Sequence, residues 1–302
     1  MYLLTSFFIC NSNVSYGYLE KVNFNSNTIG NRVIEIYSPK NWIIDDDTKF
    51  IIMQDGQMLF DSSLTWNNQE WMIDEGFKNR ENLNFIIIGV HSLNKSGDGF
   101  FDNTKRYAEY FPKQSIDYFD KNIKTFIYKA FLDREKFNYL NFIVFELIPY
   151  IENKFSIKLN KNNTGIMGSS MGGLLALNAI IEYPDIFGFA GCFSVHWIGI
   201  KPIDYFFLPI RKIITEDENF IRGIRKYINL NITDLNSHKI YFDYGTDGLD
   251  LFYSIPQKSI DKIFIEHKIN FISTEFAGHS HEEKYWALRF FDALNYLTQD
   301  ES

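Results

Sequence analysis

"TGIMGSSMGG", residues 164–173, sets two adjacent serines among four glycines. A glycine-rich turn of this kind either cradles a phosphate or presents a nucleophile. A phosphate loop needs a lysine at the start of its helix to reach the phosphates. No Lys or Arg occurs between Gly168 and Ile200. A dinucleotide-binding turn needs G-x-G-x-x-G, which Gly168, Gly172 and Gly173 do not supply. What they do supply is G-x-S-x-G, with Gly168, Ser170 and Gly172 in the pattern positions. In that motif a strand enters a sharp turn, a strained serine occupies the tip, and a helix leaves it. The context agrees: a short apolar run precedes the turn, and the helical pattern "GGLLALNAIIEYP" follows it. Strand and helix backbones nearly touch at such an elbow, so small residues are needed on both sides. Only Ser170 has glycine at both −2 and +2. It is the expected nucleophile, and Ser169 its small neighbour.

Outward from the elbow, short apolar runs alternate with helix-length amphipathic stretches. The runs 32–38, 49–55, 84–91, 164–168, 187–195, 239–245 and 271–276 predict strands, several of them continuous in β-branched or aromatic residues. Such continuity marks strands buried on both faces. Apolar residues three and four apart predict helices over 137–155, 254–268 and 282–297. This rhythm implies one α/β domain over 1–302 with a mostly parallel sheet and helices on both faces, and the elbow makes it an α/β-hydrolase fold. The opening pair of strands forms an antiparallel edge. The least regular segments, about 92–136 and 196–237, are expected to be loops, with 196–237 a possible cap over the site.

Composition excludes several classes of function. Of 302 residues, 45% are hydrophobic and 18% aromatic, enough for a large core. The net charge is −8 and no run of Lys or Arg reaches four, so a nucleic-acid footprint is not expected. Cys10 and Cys192 permit one disulfide at most and form no C-x-x-C pair. No stretch approaches the roughly 20 apolar residues of a membrane span. The opening "MYLLTSFFIC" lacks both a preceding basic residue and a following small-residue cleavage site. Residues 1–16 are therefore read as a leader strand and the protein as cytoplasmic. Were that stretch a signal peptide, the protein would be secreted or periplasmic.

A serine nucleophile needs a base, and the base needs an orienting carboxylate. In this fold both follow the nucleophile in the chain, acid first. "KIYFDYGTDGLD" (239–250) is the late strand and exit loop that would carry the acid, with Asp247 and Asp250 in the loop. "FAGHSHEEKYW" (276–286) offers His279 and His281 after the last strand. Their H-x-H spacing also suits a metal pair, but no third ligand set stands nearby in the sequence, so no metal is expected. The oxyanion hole requires the amide of the residue after the nucleophile, Met171, and one from the loop after the third strand. That loop is "MQDGQMLFD" (53–61), where Gly56 is expected to let the chain turn and aim the Gln57 amide inward. His196 and Trp197 follow the strand after the elbow helix and are expected to line the site. His238 and His267 are read as surface positions.

These segments together resemble the putative esterase family of α/β-hydrolases, the group holding esterase D, enterochelin esterases, feruloyl esterases and mycolyltransferases. The resemblance runs from about residue 30 to 297. "IGNRVIEIYSP" is similar to the family's opening R-x-V-x-V-Y-x-P strand, and "IIMQDGQMLFD" to its M-H-D-G-Q-N-L-F-D loop, with Gln54 in place of the usual histidine. "KRYAEYFP" (105–112) resembles R-x-x-E-Y-x-P, and "FELIPYIENKF" resembles the E-L-I-P-Y-I-E helix. Against F-x-G-x-x-H-x-E-x-x-W, residues Phe276, Gly278, Glu283 and Trp286 align and put His281 in the catalytic position. Against Y-F-D-x-G-T-x-x-L-D the closing acid is Asp250, whereas simple hydrolase spacing favours Asp247. The resemblance implies a cofactor-free serine carboxylic-ester hydrolase acting on a small-molecule ester. The alternatives are an acyltransferase with the same three residues, or a catalytically idle binding module.

Overall fold

Along the third strand, Phe50 and Ile52 face one core while Ile51 and Met53 face another. This period of two is the local reason that the apolar runs form a sheet with both faces covered. The computed structural model describes residues 14–78, 80, 83–93, 100–199, 218–232 and 235–299. Its strands are β1 (Tyr18–Ser26), β2 (Gly30–Ser38), β3 (Lys49–Gln54), β4 (Phe85–Val90), β5 (Thr164–Ser169), β6 (Phe189–Phe193), β7 (Lys239–Gly245) and β8 (Phe271–Phe276). They lie in the order β1-β2-β4-β3-β5-β6-β7-β8. β1 pairs antiparallel with β2, and β2 with β4; every other neighbour is parallel. The mostly parallel sheet and the antiparallel edge are as the sequence predicts.

The order positions the site. From β3 the chain moves to β4 on one side, then crosses back to β5 on the other. In open parallel sheets the crevice forms beyond the carboxyl ends of strands at such a switch point. Here those ends are Gln54 and Ser169, and Met53 pairs with Met167 just below them.

The first core joins Phe50, Ile52, Ile88, Ile166, Cys192 and Phe242 to helix residues such as Phe142, Leu174 and Phe264. Cys192 is a free, buried thiol within it. The second core joins Ile51, Met53, Met167 and Phe193 to Phe77, Phe290 and Leu294. The expected helix over 137–155 is real but not uniform. Tyr139–Phe142 runs through a π-turn, Ile143–Leu147, into Ile148–Phe155. Pro149, which has no N–H to give, sits just past the wide turn.

The segment 92–136 is more regular than its sequence suggests, since Phe100–Tyr110 and Ile123–Leu132 are helices. Within the expected cap, Glu218–Asn231 is a helix, while 200–217 and 233–234 lie outside the described residues. Residues 1–13 of the leader lie outside them as well; Val14 and Tyr16 pack against the second core. Among the described residues no helix is long and apolar enough to cross a membrane.

Candidate active site

Ser170 stands between the end of β5 and the helix Met171–Glu182, with φ 58° and ψ −121°. A non-glycine residue held there costs on the order of 1–3 kcal/mol, so the surroundings must impose it. They do so through three backbone hydrogen bonds. Ser170 N donates to Phe193 O at 2.9 Å, while Ser170 O accepts from Leu174 N at 3.1 Å and from His196 N at 3.2 Å. The turn is so tight that a Cβ on Gly168 would lie 2.8 Å from the carbonyl carbon of Gly172, and one on Gly173 3.1 Å from Gly168 O. This is the close strand–helix approach that the glycines imply. Met171 is the first helical residue, and its N–H has no acceptor inside the helix.

The loop after β3 lies alongside. Its left-handed residue is Asp55 (φ 55°), not Gly56 as the sequence suggests. Gly56 is small for a different reason: a Cβ there would fall 2.5 Å from the carbonyl carbon of Gly89 on β4. Asp55 is clamped by Arg106, with Nε to Oδ1 at 2.7 Å and Nη2 to Oδ2 at 2.5 Å. Its backbone N–H donates to Tyr110 Oη at 3.1 Å. Both partners come from the helix Phe100–Tyr110. The Gln57 side chain is fixed twice to Ser92, donating to Oγ at 2.8 Å and accepting from the backbone N–H at 3.1 Å. Its own amide is second in the short 3-10 turn Gly56–Met58, where the turn supplies no partner. Gln54 accepts from Tyr139 Oη at 2.7 Å, and its stem packs against Gly168 and Gly172.

From β7 the chain enters the 3-10 turn Gly248–Phe252, which buries Asp250. His281 Nδ1 lies 2.6 Å from Asp250 Oδ1. Asp250 Oδ2 accepts from Gly245 N at 2.7 Å and from Ser194 Oγ at 2.6 Å. Burial alone would push this carboxyl up, but the bonds and charge of His281, with those of Ser194 and Gly245, outweigh it and hold the carboxyl below its ordinary value. The His281 ring is held edge-on by Trp286 at 5.0 Å and Tyr253 at 5.6 Å. Asp247 is exposed, and its backbone N–H donates to His279 O. The His279 ring packs against Phe276 and Tyr285. Of the two acids and two histidines offered by the sequence, the structure therefore brings together Asp250 and His281.

His196 is buried, with Nδ1 2.9 Å from Tyr253 Oη. Burial, with a smaller push from His281, lowers its pKa to about 3, so the ring is neutral. Through its backbone it touches Ser170, and through Tyr253 it adjoins His281. Trp197 sits instead in the first core, against Phe242, with its indole N–H donating to Gln257 at 2.7 Å. It backs the site from inside the core instead of lining it. His238 is also not at the surface: it is buried, with Nε2 2.7 Å from Pro184 O. His267 is partly exposed beside Asn229.

Sequence reasoning missed Ser194, Tyr253 and Arg106. Only Arg106 had a signal, the R-x-x-E-Y-x-P pattern, which marks the segment without naming its partner. Among the described residues, no group of three or more His, Cys, Asp or Glu is placed to hold a metal ion.

Comparison with known proteins agrees with this architecture. The family model described as "Putative esterase" matches residues 26–297. The uncharacterized protein YbbA of Bacillus subtilis (strain 168) is 27% identical over 168 residues, 55% of this chain and 57% of that relative. The match thus spans little more than half of the relative's length. An S-formylglutathione hydrolase from Agrobacterium tumefaciens superposes with a TM-score of 0.61 at 12% identity, over 96% of this chain and 98% of that one. A ferulic acid esterase from Anaeromyces mucronatus gives 0.58 at 17% identity, over 95% and 92%. The enterobactin esterase of Shigella flexneri gives 0.60 at 14% identity, over 91% of this chain and 58% of that longer one. At these identities the structural likeness is one of fold, and that fold is the α/β-hydrolase fold. Since the family match covers nearly the whole sequence, the chain belongs to the Putative esterase family, and its fold is the α/β-hydrolase fold.

Proposed function

We propose that the protein is a serine carboxylic-ester hydrolase that works through an acyl-enzyme. Ser170 Oγ attacks the ester carbonyl carbon while His281 takes its proton. The carbonyl oxygen gains the negative charge and is held by the Gln57 and Met171 amides. When the tetrahedral intermediate collapses, the bond to the alcohol oxygen breaks and His281 returns the proton to that leaving group. Water then enters, gives a proton to His281 and displaces Ser170 by the same route. Asp250 fixes the imidazole tautomer and balances the imidazolium charge.

The observation that carries this reading is the 2.6 Å contact of His281 Nδ1 with a buried, fully hydrogen-bonded Asp250. It frees Nε2 as the basic nitrogen. The strained elbow at Ser170 and the two amides without a helical acceptor supply the remaining parts. Asp247, exposed and bound through its backbone, is not needed. His196, neutral and adjacent to Ser170, contributes to the wall of the acyl site, with Trp197 behind it. The substrate class is a small-molecule ester.

Hydrolysis of a p-nitrophenyl ester tests the assignment. Ser170→Ala is expected to lower kcat by roughly 10³-fold or more; unchanged turnover would rule out Ser170 as nucleophile.

A further inference from the structure

Behind the Asp250–His281 pair lies a second set of polar side chains that the proposed chemistry does not use directly. Ser194 follows β6, is fully buried, and takes a left-handed backbone with φ 42°. Its N–H is bound twice to Asp243, at 2.9 Å to the carbonyl and 3.1 Å to Oδ1. That pairing explains why a non-glycine residue is held there.

The hydroxyl of Ser194 has three neighbours. Trp286 Nε1 lies 3.0 Å from it, Arg289 Nη2 lies 3.4 Å away, and Asp250 Oδ2 lies 2.6 Å away. Indole and guanidinium groups only donate. Both therefore point protons at the Ser194 oxygen, and its own proton has one remaining acceptor, Asp250. The direction of the bond follows from donor–acceptor logic alone. Arg289 also pairs with Asp243, Nη1 to Oδ1 at 3.3 Å. A single guanidinium thus serves one carboxylate directly and the other through a serine hydroxyl.

We propose that Ser194 is a positioning residue for ester hydrolysis: its hydroxyl, oriented by Trp286 and Arg289, ties down Asp250 Oδ2 so that Oδ1 alone faces His281. This rests on the reading of Asp250 and His281 given above. The hydroxyl does two things. It prevents the carboxylate from rotating or sharing the imidazole proton between its oxygens. It also takes up part of the carboxylate charge, which limits how strongly Asp250 holds a protonated imidazole. The other charged or titratable groups beside this pair are Asp243 on β7, His279 after β8, Arg289 in the helix Glu283–Thr298, and His196 and Tyr253. None of these side chains donates to Asp250 Oδ2, whose only donor besides Ser194 Oγ among the described residues is the Gly245 backbone N–H at 2.7 Å.

The test uses Ser194→Ala and Ser194→Gly. Both remove Oγ, and the glycine variant also accepts the left-handed backbone without strain. Ser194→Cys restores a weaker donor. Each is assayed for kcat and KM from pH 5 to 9, with proton NMR of the His281 Nδ1–H and the fraction of Ser170 titrated by a fluorophosphonate. Partners behind metal ligands typically cost 10- to 100-fold when removed, and kcat per titrated site is expected to fall by about that factor, with KM nearly unchanged. The acid limb of kcat/KM is expected to move upward by about half a pH unit or more, because the carboxylate, left with only the Gly245 N–H on Oδ2, holds the imidazolium more tightly. The Nδ1 proton resonance should shift, and Ser194→Cys should lie between the wild type and the alanine variant. An unmoved limb and resonance, with any loss explained by fewer titrated sites, overturns the proposal. Ser170→Ala is run beside them. If it keeps full turnover, the underlying reading fails; if it is inactive while the Ser194 variants keep the wild-type profile, only this inference fails.

Discussion

His281 Nδ1 and Asp250 Oδ1 are 2.6 Å apart, with the carboxylate fully buried and the imidazole retaining 17% side-chain exposure. The pair is thus asymmetric: one partner is locked in the protein and the other is partly exposed. Such asymmetry suits a base that must exchange protons with a substrate while its orienter stays fixed.

Replacing the locked partner should be costly and replacing its exposed neighbour should not. Asp250→Asn is expected to lower kcat by roughly 10³- to 10⁴-fold, because an amide at Oδ1 favours the wrong imidazole tautomer. Asp247→Asn should stay within about threefold of the wild type, in keeping with a surface carboxylate. Steady-state kinetics with a p-nitrophenyl ester checks both; equal losses would contradict the assignment of the acid.

The pH–rate profile follows from the same pair. Asp250 is held below its ordinary carboxylate value, so it stays ionised throughout the range in which a histidine titrates. The neighbouring His196, lowered to about 3, does not titrate there either. A single histidine base therefore predicts activity that falls on the acid side with a single-proton slope. A flat profile between pH 5 and 8, or a slope requiring two protons, would count against a lone histidine base.

Gly168 and Gly172 are a packing requirement as well as a motif. In Gly168→Ala the new methyl would meet the Gly172 backbone at 2.8 Å and Gln54 Cγ at 2.9 Å, so it has nowhere to go. Overpacking of this kind costs about 1–3 kcal/mol, and Tm is expected to fall by roughly 3–8 °C. Calorimetry on that variant with an unchanged Tm would show that the elbow is looser than these contacts require.

A stability prediction concerns a different face. Burial, then the charges of Glu75 and Asp74, push the Glu70 carboxyl up to about 7 from 4.5. The folded state therefore binds this proton more readily than the unfolded chain does. Its contribution is fully present below the unfolded value and is lost as pH rises through about 7. Glu70→Gln should raise Tm by about 2–4 °C at pH 8 and leave it unchanged near pH 4. The opposite pH order would contradict the buried-carboxyl account.

Most of the sheet was legible in the sequence because several of its strands are short, continuous β-branched or aromatic runs, whereas the polar-rich β1 was not among the predicted runs. β7, for example, spans Lys239–Gly245, the very stretch the apolar run marks out. The strained turn at Ser170 was legible because two glycines must flank it, and the pairing of His281 with Asp250 because family patterns set these two apart from His279 and Asp247. Phe100–Tyr110 was not legible: its polar residues are spent on Asp55 and on Arg32, which Glu109 reaches at 2.6 Å, so its buried face reads as polar. Nor was Ser194, a small residue after a strand, whose meaning depends on Trp286 and Arg289 more than ninety positions away. The role attributed to Gly56 was misplaced because close packing and a left-handed turn select the same residue type, and here they fall on adjacent positions.

The central claim is that Ser170 is an activated nucleophile served by His281 and Asp250, and covalent labelling tests it most directly. Intact-mass analysis after exposure to a fluorophosphonate should show one adduct on the wild-type protein, mapping to Ser170. Labelling should be slowed strongly by His281→Ala and absent in Ser170→Ala. An unlabelled wild-type protein, or an adduct that persists in Ser170→Ala, would contradict the account.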